Sequence, residues 1–194
     1  MDAELIESFD LGLWRYEIYS EKPSFEHIEL KQVHSDKVIP HKEWKAEIEA
    51  DGIYSTTPLI TPLAIRTADC LPIGLIGKNG VANIHAGWRG LHRPILNHPS
   101  LKELNINTAF IGPHISYKSY EVGSEFENYF PGFVKETNGS YYLSLKDIAK
   151  KQLLECFGRV KIYESELCTY ENPRLNSFRL NKTEKRNYNI LRNK

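Results

Sequence analysis

The sequence predicts a mixed α+β fold, because strand-like segments outnumber helices and the helices do not alternate regularly with them. The clearest helix covers residues 145–157, where Ile148, Leu153, Leu154 and Phe157 fall near one stripe. Gly158 can end this helix in a left-handed conformation. We therefore expect one compact domain built on mixed sheets rather than a doubly wound parallel sheet.

The other elements follow from short apolar runs that end at Asp, Pro or Gly. Loose alternation predicts a first strand over residues 25–33, and a turn is expected around residues 50–52. Further strands are predicted at residues 63–67, 73–76, 81–84, 108–111, 160–163 and 188–191. Short helices are expected at residues 88–96, where Pro94 limits the length, and at 124–129 after a serine cap.

Composition excludes several classes of function. The 194 residues carry 25 basic and 25 acidic side chains, so nothing in the charge points to a nucleic acid or an anionic membrane as a partner. The longest apolar stretch, residues 71–77, is far shorter than the roughly 20 residues of a membrane-spanning helix. An acidic start and three cysteines without a Cys-x-x-Cys pair favour a soluble, cytoplasmic protein.

Three residues form a candidate metal site. Cys70 lies just after one apolar run, His85 lies at the end of another, and His34 ends the first predicted strand. Neighbouring strands that end on the same side would bring Cys70 and His85 together. One thiolate and two imidazoles would give Zn²⁺ three ligands and leave a fourth position open, as in catalytic zinc sites. The same cysteine and histidine could instead form a nucleophile–base pair.

A series of short motifs makes the chain resemble a known family. The motifs are Gln-Val-His at 32–34, Ala-Asp-Gly at 50–52, Thr-Ala-Asp-Cys-Leu-Pro at 67–72, His-Ala-Gly-Trp-Arg-Gly-Leu at 85–91, Ile-Gly-Pro at 111–113, Tyr-Glu-Val-Gly at 120–123, Cys-Thr-Tyr at 168–170 and Ser-Phe-Arg at 177–179. From about residue 27 to the C-terminus, the chain resembles the YfiH family, long labelled multicopper polyphenol oxidase or laccase-domain proteins.

The resemblance implies a compact α+β domain, related to cysteine-hydrolase-like toxin domains, that binds zinc and acts on purine nucleosides. Family members are described as cleaving adenosine, inosine and methylthioadenosine by phosphorolysis and as deaminating adenosine. Their metal ligands map onto His34, Cys70 and His85. The expected partners are therefore a purine nucleoside and phosphate, and the expected cofactor is zinc.

Both reactions need further side chains. Deamination needs a carboxylic acid to transfer protons, for which Asp69 is the first candidate, with Asp51 and Glu121 as alternatives. Asp69 could instead orient a metal-bound histidine. For Asp51 we favour a role in shaping the Asp-Gly turn over a catalytic role.

Phosphorolysis needs donors for phosphate, and arginine suits this task because its planar fork donates two hydrogen bonds. Arg89 and Arg179 are the candidates, although either could be part of a structural ion pair. Gln32 and Ser177 are candidate substrate-binding residues. Trp88 could stack on the base, although a tryptophan is more often part of a core.

The residues of this chain do not fit the multicopper oxidase named in the family's older description. Multicopper oxidases need several His-x-His pairs for a trinuclear cluster and usually a weak axial methionine at a blue-copper site. The chain has seven histidines, none of them two positions apart, and its one methionine is Met1. A polyphenol oxidase remains an alternative only through copper at the Cys/His/His site, since Cu²⁺ outcompetes Zn²⁺ at most such donors.

The chain also departs from the family pattern. Relatives usually have a longer N-terminal portion, so we expect one domain over residues 1–194 with a shortened segment 1–26. The second of two family arginines is Leu180, and Thr-Gly-Arg is replaced by Thr-Glu-Lys-Arg at 183–186. Two further alternatives are a cysteine hydrolase or amidase using Cys70 and His85, and a nucleoside-binding protein without turnover.

Overall fold

The computed structural model describes residues 3–194, and this part of the chain contains fourteen strands and five α-helices. The strands are β1 (Leu5–Leu11), β2 (Trp14–Tyr19), β3 (Ile28–Glu29), β4 (Val38–Pro40), β5 (Gly52–Ser55), β6 (Leu63–Thr67), β7 (Leu71–Gly77), β8 (Gly80–Ala86), β9 (Ile106–Ile111), β10 (Glu121–Val122), β11 (Val134–Thr137), β12 (Ser140–Leu143), β13 (Lys161–Glu164) and β14 (Asn187–Asn193). The helices are α1 (Trp88–His92), α2 (Pro99–Glu103), α3 (Phe126–Tyr129), α4 (Leu145–Phe157) and α5 (Phe178–Asn181). Single 3₁₀ turns cover His41–Glu43, Ile95–Asn97 and Tyr117–Ser119.

The strands form three sheets. The central sheet has the order β13-β9-β7-β8-β5-β4, a second has the order β1-β2-β14-β6-β3, and a small third sheet has the order β10-β12-β11. Side chains such as Ile18, Ile53 and Ile65 fill one core between the two larger sheets. On the other face of the central sheet, residues such as Ile84 and Leu153 form a second core with the helices. The mixed α+β class predicted from the sequence is therefore confirmed.

The interior elements match their sequence predictions. Strand β6 and helix α4 begin and end where they are predicted, and Gly158 ends α4 with a φ of 68°. The interior position expected for Leu154 is wrong, because this side chain is 52% exposed. No helix of the described residues is long and apolar enough to cross a membrane.

The predictions fail mainly at sheet edges and in short elements. Only Ile28 and Glu29 of the predicted strand 25–33 pair as a strand. The hairpin of β1 and β2 falls in the segment 1–26, of which residues 1 and 2 lie outside the described part. Its strand β1 is an exposed edge strand with little apolar periodicity, so sequence patterning gave no signal for it. The expected serine cap of α3 is wrong, since no side chain caps that helix.

Buried polar contacts join the two larger sheets. The hydroxyl of Tyr16 donates to Oδ1 of Asn83 at 2.9 Å, and Nδ2 of Asn83 donates to the carbonyl oxygens of Leu63 and Asn189, each at 2.9 Å. Asn83 is fully buried. Gly74 makes room for the tyrosine, because a Cβ there would lie 2.6 Å from the ring of Tyr16.

Replacing Asn83→Ala is expected to lower the free energy of unfolding by about 3 kcal/mol or more. It leaves the buried Tyr16 hydroxyl without its partner, which costs about 1–3 kcal/mol, and removes one hydrogen bond of about 1 kcal/mol from each of two buried carbonyl oxygens. Denaturant unfolding of both proteins measures the difference. Asn107→Ala, on the exposed surface of β9, is the control and should change stability by less than about 0.5 kcal/mol. A cost below about 1 kcal/mol for Asn83→Ala would contradict this role.

Candidate active site

The β7–β8 hairpin places Cys70 beside His85. The two strands are antiparallel, with Leu71 opposite Ala86 and Pro72 opposite His85. Cys70 directly precedes β7 and therefore lies at the same end of the hairpin as His85. The predicted proximity of Cys70 and His85 is confirmed, but the predicted reason for it is wrong. The apolar run before Cys70 is β6, which belongs to the other large sheet, so the two residues do not follow two neighbouring strands.

His34 reaches the same place from a loop rather than from the end of a strand. Its backbone has a φ of 60°, in the left-handed region. The carboxylate of Asp51 holds this loop by accepting hydrogen bonds from the backbone N–H groups of Val33 (3.3 Å), His34 (3.0 Å) and Ser35 (2.6 Å). Gly87 packs against the site, since a Cβ there would lie 3.1 Å from Cys70 Sγ and 3.2 Å from His34 Cδ2.

Asp51 also orients His85. Nδ1 of His85 donates to Oδ1 of Asp51 at 2.7 Å, which leaves Nε2 as the nitrogen available to a metal. The Ser35 hydroxyl donates to the same carboxylate at 2.7 Å. The interpretation of Asp51 as a turn residue is therefore wrong, because its side chain is completely buried and joins two parts of the site. The alternative that Asp69 orients His85 is also wrong, because the carboxylate of Asp69 is bonded to Thr169 and to the backbone N–H of Arg179.

The three predicted ligands form one cluster. The donor atoms of His34, Cys70 and His85 lie within 4.8 Å of one another, and among residues 3–194 this is the one group of three or more such donors. Two imidazoles and a thiolate suit Zn²⁺ and also copper. Three protein donors leave one tetrahedral position for another ligand, so the residues fit a catalytic metal ion. The identity of that ion is not fixed by the donor set.

The charges within the cluster support each other. Burial opposes ionisation of the Cys70 thiol, but His85 and His34 outweigh it and lower the pKa to about 6. Burial likewise opposes protonation of His85, whereas the Cys70 thiolate and Asp51 raise its pKa to about 9. Burial also works against a charged Asp51, but His85 and Ser35 lower the pKa of this carboxyl to about 2.

A cavity of about 690 Å³ opens beside the cluster. Its volume lies within the range of small-molecule sites. Besides the three metal-ligand candidates, five other predicted site residues line it, namely Gln32, Asp69, Trp88, Arg89 and Arg179. The structure thus collects eight of the nine sequence candidates around one cavity.

The exception is Ser177. Its side chain is buried, and its hydroxyl accepts a hydrogen bond from the backbone N–H of Leu180 at 3.2 Å, which caps the N-terminus of α5. It does not line the cavity, so the structure does not bring Ser177 together with the other candidates. Gln32 lines the cavity, but its amide is already bonded to the backbone N–H and carbonyl of Arg66, both at 2.8 Å.

Asp69 and Arg179 are held together. One carboxylate oxygen of Asp69 accepts from the Thr169 hydroxyl at 2.7 Å, and the other accepts from the backbone N–H of Arg179 at 2.6 Å. The guanidinium of Arg179 donates to the carbonyl of Glu121 at 2.7 Å and lies 5.1 Å from the ring centre of Tyr120. These contacts fix the direction of the guanidinium group without neutralising its charge.

Arg89 is exposed and lies over Trp88, with 4.8 Å between the guanidinium carbon and the ring centre. Trp88 itself packs edge-on against Phe126 while lining the cavity. The tryptophan therefore combines a packing contact with a position at the site.

Sequence reasoning assigned no role to the eight other residues that line the cavity, namely Arg66, Thr67, Ala68, Tyr120, Phe178, Lys182, Glu184 and Arg186. The available signal was their position, because each lies in or next to one of the motif boxes. The two other cysteines and His114 lie outside this cavity. His114 and Cys168 line a separate cavity, and Cys156 is half-buried on α4.

Comparison with known proteins identifies the family. The sequence model of the family described as "multi-copper polyphenol oxidoreductase laccase" matches residues 16–190. The chain belongs to this family. A relative from Aquifex aeolicus named "Purine nucleoside phosphorylase" is 38% identical over 160 residues, covering 80% of this chain and 77% of the relative. The Escherichia coli relative "Purine nucleoside phosphorylase YfiH" is 34% identical over 169 residues, covering 79% and 68%.

Two solved structures share the fold of this chain. A Neisseria meningitidis protein of the DUF152 family superposes with a TM-score of 0.82 at 20% identity, covering 96% of this chain and 98% of that chain. YlmD from Geobacillus stearothermophilus gives a TM-score of 0.76 at 25% identity, covering 89% and 75%. The copper in the family description agrees poorly with the single three-donor cluster of the described residues, since a four-copper enzyme needs several.

Asp51→Asn is expected to weaken zinc binding about 10- to 100-fold, because the partners that orient metal-bound histidines contribute by that much. Competition with a chromogenic chelator measures the affinity, and thermal unfolding of the metal-free proteins reports on the loop that Asp51 also holds. Asp36→Asn, an exposed residue in the same loop, is the matched control and should bind zinc like the parent protein. Unchanged zinc affinity in Asp51→Asn would show that His85 is not a ligand oriented by Asp51.

Proposed function

We propose that this protein is a zinc-dependent purine nucleoside phosphorylase. It would convert adenosine, inosine and methylthioadenosine with phosphate to the free base and ribose 1-phosphate (or its methylthio counterpart), and deaminate adenosine as a second activity. The observation that carries this proposal is the 690 Å³ cavity where a His/Cys/His cluster lies beside Arg89 and Arg179, neither of which has an acidic partner in residues 3–194. Relatives bearing the name of this activity cover most of the chain.

Phosphorolysis forms a bond from a phosphate oxygen to C1′ of the ribose and breaks the bond from C1′ to the purine nitrogen. Arg89 and Arg179 are suited to bind the phosphate, because neither side chain is paired with a carboxylate among the described residues. The Asp69 carboxylate in the cavity wall is suited to stabilise positive charge that develops on the sugar. Trp88 offers an aromatic surface for the base.

His34, Cys70 and His85 would hold the zinc ion, which when bound supplies a Lewis acid beside the reacting atoms. Asp51 keeps the Nδ1 proton of His85 and the loop of His34 in place. For deamination, Asp69 is the carboxyl group in the cavity that can accept and return a proton, since each carboxylate oxygen has a second lone pair beyond its present hydrogen bond. Two reactions in one site would thus share the same set of residues.

Incubation of the zinc-loaded protein with adenosine, with and without phosphate, tests the proposal. Adenine formed only with phosphate supports phosphorolysis, and inosine formed without phosphate supports deamination. Chromatography separates the three purines. If neither product forms at high enzyme concentration, both activities are refuted for this chain.

Arg89→Gln is expected to raise KM for phosphate about tenfold or more, since a hydrogen bond to a charged group contributes about 1.5–3 kcal/mol. Arg89 is exposed, so the melting temperature should stay unchanged. Arg93→Gln is the matched control, because Arg93 is also exposed and ends the same helix but does not line the cavity. Equal KM values for phosphate in parent and Arg89→Gln would remove Arg89 from the phosphate site.

A cysteine hydrolase or amidase is the second candidate function, and one observation favours it. Cys70 lies beside His85, and His85 is bonded to Asp51, which is the arrangement expected of a nucleophile, its base and the group that orients the base. His85 and His34 also lower the pKa of the Cys70 thiol to about 6, against the effect of burial. The same three residues therefore suit either a metal site or a nucleophile. A bound metal ion would exclude the nucleophilic role.

Metal analysis together with alkylation separates the two candidates. The phosphorylase proposal predicts about one zinc per chain and slow alkylation of Cys70 by iodoacetamide, which becomes fast after chelation, because a coordinated thiolate is shielded. Cys156 lies half-buried on α4 and serves as the internal control for reagent access. Fast alkylation of Cys70 in the protein as purified, without bound metal, would favour the hydrolase. Copper in place of zinc would support the oxidase alternative.

A further inference from the structure

The proposed reaction leaves two positive charges of the cavity unexplained. Four cationic side chains that line it, Arg89, Arg179, Lys182 and Arg186, form no ion pair with a carboxylate in the part of the chain that the structure describes. Arg89 and Arg179 suffice for an inorganic phosphate. A nucleoside carries no charge, so it gives Lys182 and Arg186 nothing to bind.

The acidic groups of the cavity do not balance these charges. Asp69 is already engaged by Thr169 and by the backbone of Arg179. Glu184 also lines the cavity and is exposed. A phosphate ester carries about −1.5 to −2 charges at pH 7. Asp69 and Glu184 keep their charges and offset two of the four cations, while the zinc ion of the proposed function outweighs the Cys70 thiolate by one charge, so an excess of about three positive charges is left. Inorganic phosphate and a second phosphate group on the substrate would together match this excess.

Lys182 and Arg186 are held at one wall of the cavity. Lys182 ends α5 with a φ of 54°, a left-handed conformation that favours glycine, and its ammonium nitrogen lies 5.0 Å from the ring centre of Phe178. Nη1 of Arg186 donates to the carbonyl oxygens of Thr183 (2.9 Å) and Lys185 (2.8 Å). The loop thus folds around the guanidinium group, whose other nitrogen atoms have no hydrogen-bond partner among residues 3–194 and can bind a ligand.

This wall adjoins the motif loop that carries Cys70. Asn187 pairs with Thr67 in the sheet, which places Arg186 next to residues 68–70. Lys182 is on the same helix as Arg179, whose backbone is bonded to Asp69. Both cations therefore belong to the same cavity as the metal-ligand candidates but to a different chain segment from Arg89.

We propose that Lys182 and Arg186 form a second anion subsite, which binds the 5′-phosphate of a purine nucleoside 5′-monophosphate. This inference rests on the proposed function, because it assigns a substrate class to the same site. The bond changes are those of phosphorolysis. An oxygen of hydrogen phosphate bonds to C1′ and the bond from C1′ to the purine nitrogen breaks. The purine leaves with the proton that the hydrogen phosphate gives up, and the other product is ribose 1,5-bisphosphate.

The test compares adenosine 5′-monophosphate with adenosine on the zinc-loaded protein. Isothermal titration gives both dissociation constants without turnover, and product analysis with phosphate gives both values of kcat/KM. We expect the monophosphate to bind roughly tenfold to a hundredfold more tightly, as one or two charge-assisted contacts would give. This preference should shrink at high salt.

Three variants locate the subsite. Lys182→Gln and Arg186→Gln should reduce the preference for the monophosphate at least about tenfold. Lys185→Gln is the matched control, because Lys185 is an exposed lysine of the same loop that does not line the cavity, and it should keep the preference. Lys182→Gly should also lose the preference while the melting temperature stays equal or rises, since glycine adopts a positive φ without strain.

Equal affinities for the two ligands would overturn the subsite, and so would a preference that survives in both Lys182→Gln and Arg186→Gln. Failure of the proposed function looks different. If the monophosphate binds more tightly through Lys182 and Arg186 but neither ligand is cleaved with phosphate, the subsite stands and the phosphorylase proposal fails. If adenosine is cleaved and the monophosphate has no advantage, the phosphorylase stands and the subsite fails.

Discussion

The buried carboxylate of Asp51 accepts hydrogen bonds from three successive backbone N–H groups, one hydroxyl and the ring of His85. His34 lies in a loop with a left-handed backbone, which has no strand pairing to hold it, so its position depends on these bonds. His85 is fixed by the central sheet, and Cys70 by its place before β7. A single carboxylate thereby connects the loop that carries His34 to the sheet that carries His85. These five hydrogen bonds compensate the cost of burying the negative charge of Asp51.

The rest of the cavity is assembled around a second carboxylate. Asp69 connects three segments, the motif loop, Thr169 and the start of α5, and so brings Arg179 to the cavity. From there the chain continues through Lys182 and Arg186 into β14, the strand that pairs with β6. The positive charges are therefore placed by segments that meet only after both large sheets have formed. Their accumulation at one cavity, with few free carboxylates, favours anionic ligands over neutral ones.

The elements that sequence patterning predicted well are those whose surroundings are uniform. Strand β6 lies within a sheet interior, and α4 packs one face on the core, so apolar periodicity defines them. The strand predicted over residues 25–33 shortens to Ile28 and Glu29, because the following residues leave the sheet to form the loop of His34. Leu154 is exposed although its neighbour Leu153 is buried. Which of two adjacent apolar residues faces the core depends on how the helix is rotated about its axis, and apolar periodicity does not define that rotation to within one residue.

The sequence by itself determined the family motifs, the class of fold and the chemical identity of the candidate metal donors, since these depend on residue type and order. Only the tertiary structure decided the roles of Asp51 and Ser177, which the sequence had interpreted as a turn residue and a substrate contact. The tertiary structure also brings Arg66, Lys182 and Arg186 together in the lining of one cavity. The reason is that these roles depend on contacts such as those from Asp51 to His85, 34 positions apart, and from Asp69 to Arg179, 110 positions apart. Such contacts follow from the packing of sheets against each other, which no local pattern of the chain encodes.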